Sequence, residues 1–466
     1  MPNQTKFREI KDSFGSLSIP QDALYGAQTQ RAVDNFNFSY RPMPSAFIKM
    51  LARIKQCAAK ANAELNCIEP VQAEYIEKAA AQIMHHDFIS QFPVNVFQTG
   101  SGTSTNMNMN EVLASLAETL AVEEGQQVQL HPNDQVNFAQ SSNDVIPACI
   151  QLSALYAIIH DLIPAMDKLI CRLSKISSEY QSVIKTGRTH LMDAMPLSLG
   201  DEFKTWQFQI EETKSRLLES LPRLSELSLG GTAIGTGVNA PREFSELVCQ
   251  NLSAELGVKV QPADNLAARI SSQDVNLEVH SQLKLLATVY IKLANDLRWM
   301  NSGPNAGLNE LQVKALQPGS SIMPGKINPV IPEAIIMMAT EVLGNDTCIT
   351  LANQSGNFQL NVMLPLVADK LLNSIQNLTD ASKAFAEKAL SELTINKDKL
   401  AQQAAANPIL VTVLNPLIGY EKAAEIAKAA YRDNRSILEV ALEYTDLDRA
   451  ELETLLAPDK LAKPNP

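Results

Sequence analysis

The sequence predicts a mainly helical protein built around a bundle of long helices. Three observations carry that prediction. Hydrophobic residues fill 45% of the 466 positions but aromatics only 5%, and aromatic and β-branched residues are the leading strand formers, so this balance favours helix. Five long stretches repeat apolar residues at spacings of three and four, the period of one helix face. Five short polar segments, rich in Gly, Pro, Ser, Thr and Asn, punctuate the pattern. Amphipathic helices in series bury their stripes best against one another, which makes a bundle.

The opening forty or so residues read as irregular, with Pro20, Pro42 and Pro44 as breakers. A helix is expected from near Ser45, where Phe47, Leu51, Ile54, Ala58 and Ala61 recur in phase. From Gln151 to Tyr180, Leu152, Leu155, Ile159, Leu162, Met166, Leu169, Leu173 and Ile176 mark one face, and Pro164 predicts a kink. Further long helices are expected at about 201–229, through Phe203, Trp206, Ile210 and Leu217, and at about 279–300 and 333–350. A last one follows Pro365 through Leu372, Ile375 and Leu378. Past Thr394 the helices shorten, with breaks at Pro408, Pro416 and Gly419. Length suggests about three domains. They are expected at 1–139 (mixed, mostly helical), 140–394 (a central five-helix bundle) and 395–466 (small and helical).

Charge and composition exclude several classes. Lys and Arg number 39 against 51 Asp and Glu, a net charge of −12, which argues against a nucleic-acid partner. Mean hydropathy is −0.08, and no unbroken apolar run of bilayer length stands out, so no membrane partner is expected. The start, Met1-Pro2-Asn3-Gln4-Thr5-Lys6, lacks the apolar core of a signal peptide. Six scattered cysteines with no CxxC pair read as reduced thiols. The expected compartment is the cytoplasm.

The polar segments are Thr99-Gly100-Ser101-Gly102-Thr103, with Asn106, Asn108 and Asn110 after it; His131-Pro132-Asn133-Asp134; Gln140-Ser141-Ser142-Asn143-Asp144; Gly187-Arg188-Thr189-His190; and Gly319-Ser320-Ser321-Ile322-Met323-Pro324-Gly325-Lys326-Ile327-Asn328. Any one of them could be a turn or a helix cap. Together they supply many small neutral donors and a few cations, a set suited to a small dianion. Cofactor signatures fail on spacing. Gly319 to Lys326 is one residue too long for a P-loop, and Ile327 replaces its Ser/Thr. Gly230–Gly237 is not GxGxxG and reads as a tight bend. HExxH, EF-hand and GxSxG motifs are missing, and adjacent His85 and His86 read as a solvated pair. The chemistry reached from residues alone is therefore a small polar anion handled without metal or cofactor.

The Gly319–Asn328 stretch resembles the signature loop of the fumarase/aspartase superfamily, and the other four segments match that family in order. Gly26-Ala27-Gln28-Thr29-Gln30-Arg31 and Leu414-Asn415-Pro416-Leu417-Ile418-Gly419-Tyr420 extend the resemblance over nearly the whole chain. Within the superfamily, the sequence is most similar to the metal-free class II fumarases. The resemblance implies a three-domain, mainly helical chain whose central bundle joins a twenty-helix core in a homotetramer, with each active site built from three subunits. It implies a fumarate/malate dicarboxylate substrate and an aci-carboxylate intermediate.

The resemblance also implies residue roles. Ser320 takes the C3 proton of malate. Lys326 and Asn328, beside Ile327, hold a substrate carboxylate and stabilise the intermediate. Ser101, Gly102, Thr103, Ser141, Ser142, Asn143, Thr189 and Ser321 line the site. His190, paired with Glu333, polarises the water that protonates the leaving hydroxyl. His131, Pro132, Asn133 and Asp134 match a peripheral dicarboxylate site, although Val128 and Gln129 stand where many fumarases carry basic residues. Asp144 and Glu111 read as capping or pairing groups, and Arg188 as a group that can position its loop. Ser101 and Ser142 follow the fumarase pattern. Pro329-Val330-Ile331-Pro332-Glu333 looks more like aspartate ammonia-lyase, the alternative enzyme. A non-catalytic helical scaffold is the alternative from another class, and intact Ser320, Lys326, Asn328 and His190 argue against it.

Overall fold

The computed structural model describes residues 6–38 and 40–462. The Met1–Thr5 segment, which carries no signal-peptide core in the sequence, lies outside the described residues. The chain forms two compact units. The first takes residues up to Ile163, Ser215–Ala287 and Thr340–Thr379; the second takes Pro164–Lys214, Thr288–Ala339 and the chain from Asp380 on.

The expected long helices are present: Ser142–Glu179, Leu199–Leu224, Asp274–Met300, Val330–Gln354 and Leu364–Ala384. The first begins nine residues before its apolar stripe becomes regular, because Ser141 caps it. Ser141 Oγ accepts the amide of Asn143 at 3.2 Å, and Asp144 accepts the amide of Ser141 at 2.8 Å, a reciprocal capping box. Pro164 does not end the helix. The helix continues through it, with a π-turn over Ile158–Leu162 just ahead, which rearranges the carbonyls that proline's missing N–H cannot pair.

Two of these helices, Ser142–Glu179 and Val330–Gln354, are long and apolar enough to cross a bilayer by length and composition, where no such run was read in the sequence. The most apolar window of the first is 67% buried inside the fold, as a core helix would be. That of the second is only 33% buried, and Met337 and Leu351 stand exposed on it.

The first unit differs from expectation at its start. Its opening is an antiparallel hairpin, Phe7–Asp12 with Gly15–Pro20, followed by the helix Ala27–Asn35. Arg31 ties the two together through Asp12 at 2.7 Å. The Ser45–Glu64 helix, with Phe47, Leu51, Ile54 and Ala58 buried, packs against the helix Pro70–His85, where Ala73, Ile76, Ala79 and Ile83 are buried. Alanines on both faces allow close approach. His85 and His86 are exposed at the end of that helix, as expected. A buried polar cluster links three long helices: His280 bonds Asp346 through Nδ1 at 3.0 Å and Ser374 through Nε2 at 2.9 Å. Burial pushes the His280 imidazole below its ordinary range, against the pull of Asp346.

The second unit holds another unpredicted hairpin, Ile184–Thr189 with Met192–Ser198. Phe203 and Trp206 pack edge to face within it at 4.9 Å. The short helices after Thr394 gather a core of their own from Leu410, Leu414, Ile426, Val440 and Leu452.

Candidate active site

The signature loop folds back on itself. Gly319 donates its amide to the Lys326 carbonyl at 2.8 Å, and Asn328 Nδ2 donates to the Gly319 carbonyl at 2.8 Å. Gly325, at a φ of +81°, makes the turn between them. Inside this ring Ser320 Oγ accepts two backbone amides, Ile322 at 3.2 Å and Met323 at 3.0 Å. A serine alkoxide needs such donors, because a free hydroxyl ionises far above neutral pH. Ser321, Lys326 and Ile327 are exposed on the loop. Beyond it, Glu333 sits in the first turn of the Val330–Gln354 helix.

A cavity of about 850 Å³ adjoins the loop, lined by Arg298, Trp299, Asn301, Lys326, Asn328 and Glu333 among others. The last three of these are expected from sequence; Arg298, Trp299 and Asn301 are not. Their only sequence signal was their position at the end of a helical stripe.

Thr189 and His190 belong to the unpredicted hairpin. Thr189 pairs with Met192, so His190 and Leu191 form a two-residue turn, with φ of 56° and 60°. This is the type I′ geometry, whose twist suits a hairpin but which usually calls for Asn or Gly. His190 is thereby held out at the tip, exposed, and it does not line the cavity that holds Glu333.

The hairpin is anchored by buried charge. Glu310, almost fully buried, pairs with Lys185 at 3.1 Å and with Arg188, while Lys185 also reaches Glu202 at 2.8 Å. Arg188 therefore positions the hairpin, the role read for it from sequence. Neither Lys185 nor Glu310 was singled out there.

In the first unit two helix starts carry the hydroxyl donors. Gly102, at a φ of +73°, ends the Thr99–Gly102 turn and opens the helix Thr103–Glu123, where an added Cβ would meet Ile146 at 2.9 Å. Ser101 Oγ and Thr103 Oγ1 share a hydrogen bond of 2.9 Å. The other start is the Ser141-Ser142-Asn143 turn. Asn106 Nδ2 donates to Ser142 Oγ at 3.1 Å and so joins the two. The structure thus brings Ser101, Gly102, Thr103, Ser141, Ser142 and Asn143 together in one unit. Helix N-termini present unpaired amides and a positive dipole end, which suits a carboxylate.

Beneath these donors lies an amide cluster. Asn137 Oδ1 accepts from Asn106 at 3.1 Å, Asn110 at 3.2 Å and the buried ammonium of Lys55 at 2.9 Å. Burial pushes the Lys55 ammonium down to about 7, with Asp144 pulling the other way. Burial pushes the Asp144 carboxyl up, while the amides of Ser141, Thr232 and Gly230 oppose it. Asp144 is thus a cap that also clamps the Gly230–Gly237 bend, and Glu111 likewise receives the amides of Gly26, Gln28 and Thr29. Both act as the capping groups read from sequence.

His131, Pro132, Asn133 and Asp134 form an exposed turn. His131 Nδ1 accepts the Asn133 amide at 3.3 Å and lies 3.3 Å from the Asp134 carboxylate. Val128 is partly exposed and Gln129 exposed just before it, and neither offers a cation.

Two families match the chain: one described as lyase over residues 15–344, and the fumarase C C-terminus over residues 410–463. The chain is 52% identical to "fumarate hydratase class II 2" of Pseudomonas aeruginosa, over 98% of this chain and 99% of the relative. It is 49% identical to a class II fumarate hydratase of Xylella fastidiosa, over 99% of this chain and 97% of the relative. Among solved structures it is similar to class II fumarase from Schistosoma mansoni, with a TM-score of 0.94 and 35% identity over 98% of this chain and 99% of that one.

Proposed function

The chain belongs to the class II fumarase family of lyases, and from that premise we propose that it catalyses the reversible hydration of fumarate to (S)-malate. The observation that carries this reading is the seat of Ser320, whose Oγ takes two backbone amides inside a closed loop. A proton beside a carboxylate is very weakly acidic, so its removal needs both a strong base and donors for the doubly charged aci-carboxylate. One preorganised donor of this kind is typically worth about 10²–10³ in rate.

In the dehydration direction, Ser320 removes the C3 proton of malate. Lys326 and Asn328, with Ile327 and Ser321 beside them, take the carboxylate that gains charge. Ser101, Gly102, Thr103, Ser141, Ser142, Asn143 and Thr189 hold the rest of the dicarboxylate. A water held by His190 and Glu333 protonates the hydroxyl as it leaves from the opposite face. The His131–Asp134 turn is a weak peripheral dicarboxylate site, because its neighbours carry no cation.

We assign this site to a homotetramer in which three subunits supply the donor sets. Two observations support that assignment. His190 lies at an exposed hairpin tip, outside the cavity that holds its partner Glu333. The long helices of each unit also leave large apolar residues exposed, Leu285 and Leu351 in the first and Phe208 and Met337 in the second, as helices covered by further copies of the chain would. The domain division at 139/140 and 394/395 is part of the same reading, supported at the second boundary by the separate core after Thr394. The family is of soluble enzymes, and we place this member in the cytoplasm.

A direct test follows the ultraviolet absorbance of fumarate as malate is dehydrated, with ammonia release from aspartate measured in parallel. Malate turnover should dominate. Faster release of ammonia from aspartate would reassign the chain to the ammonia-lyases.

A further inference from the structure

Lys55 is completely buried on the Ser45–Glu64 helix. Its ammonium donates to Asn137 Oδ1 at 2.9 Å and to Gln140 Oε1 at 3.0 Å. As an ammonium the Lys55 nitrogen has three protons and no lone pair and can only donate; as the amine, its two protons still serve these two acceptors. That one-way chemistry, with the donation of Asn137 Nδ2 to the Gln140 carbonyl at 3.2 Å on its other side, fixes which end of Asn137 faces it. Once Oδ1 is fixed, Asn106 must turn its NH₂ group toward it, at 3.1 Å. The same Nδ2 donates to Ser142 Oγ at 3.1 Å. Ser142 therefore accepts from within, and its one proton is left to point outward.

We propose that Lys55 is a positioning residue for the substrate site: through Asn137 and Asn106 it sets the direction of a hydrogen-bond chain, so that Ser142 offers the dicarboxylate a donor and not an acceptor. The inference rests on the reading of Ser142 as a substrate contact. It gives the buried cation a purpose that packing does not. A methionine would fill a similar space at less desolvation cost, but it would take away the charged donor to Asn137 Oδ1, leaving the Asn137 amide held by its own donation to the Gln140 carbonyl at 3.2 Å and by neutral donors, and Ser142 freer to turn its proton inward.

The test is a double-mutant cycle on the full-length enzyme with malate as substrate. Lys55→Met should raise KM about tenfold or more, the lower range for a charge-assisted hydrogen bond, and should change kcat less. Ser142→Ala should raise KM similarly. In the double variant the two fold-changes should not multiply, because Lys55 acts only through Ser142. Lys60→Met, an exposed lysine on the same helix, should leave KM unchanged. If Lys55→Met does not fold, Asn106→Ala breaks the chain one link later and should show the same lack of multiplication with Ser142→Ala. Fold-changes that multiply, or a Lys55→Met enzyme with wild-type KM, overturn the inference and leave the Ser142 contact standing. A Ser142→Ala enzyme with wild-type KM and kcat removes both.

Discussion

Gly319 donates its amide to the carbonyl of Lys326 across 2.8 Å, and no side chain fits at 319 while that bond stands: a Cβ would lie 2.3 Å from the same oxygen. The bond closes the ring that holds Ser320. Gly319→Ala should open it and displace the serine by a fraction of an ångström or more. Misplacement of about 1 Å can cost about 10² in rate, and malate turnover should fall on that order. Thermal unfolding should barely move, since the loop lies at the surface. Full activity in Gly319→Ala would mean that the ring does not position the base.

Ser320→Ala should lower kcat by about 10²–10⁴, the range for a positioned general base. KM should change much less, because Lys326, Asn328 and the hydroxyl donors remain. Stability should stay within about 0.5 kcal/mol. Ser321→Ala is the control from the same loop. If Ser321→Ala is the dead enzyme and Ser320→Ala the active one, the base has been assigned to the wrong serine.

Glu310→Gln should be costly to the fold. It leaves Arg188 without its carboxylate partner and Lys185 with Glu202 alone. Breaking a buried pair on one side typically costs about 3–5 kcal/mol, and the surviving Glu202 contact favours the lower end. Chemical denaturation should report it. Lys78→Ala, which breaks the exposed pair to Glu124, should cost within about 1 kcal/mol. Equal effects at the two sites would show that burial of Glu310 is not what matters.

His190→Asn and Lys326→Ala should each be inactive alone. Unfolded together and refolded, they should regain part of the activity, because some sites then draw an intact His190 and an intact Lys326 from different chains. Mixed oligomers that assemble but stay dead, or a fully active monomer, would rule out shared sites.

The long helices were legible because their stripes are long and sparsely charged. The two hairpins were not. Arg8, Ile10, Leu17 and Ile19 alternate over only six residues per strand, too short a run to outweigh the nearby breakers. The Thr189–Met192 turn carries His and Leu where a hairpin signal would be Asn-Gly, so nothing local announces it. Within the site, hydroxyls and amides were readable as segments, and the loop as a family likeness. The supporting charges were not, because a buried lysine is written like an exposed one. Lys55 did leave a trace: it stands four residues after Leu51 and three before Ala58, on the buried stripe itself. Glu310 left none, since its partners are more than a hundred residues away.

The turn at His190 sets stability against chemistry. Both of its residues occupy positive φ, at a cost on the order of 1 kcal/mol each for a side chain other than glycine. Hairpin stability alone favours asparagine or glycine there, so histidine at 190 works against the stability of its own hairpin. Exchange of this one residue for asparagine or glycine, with the helices unchanged, would therefore ease the hairpin while removing the group that holds the water.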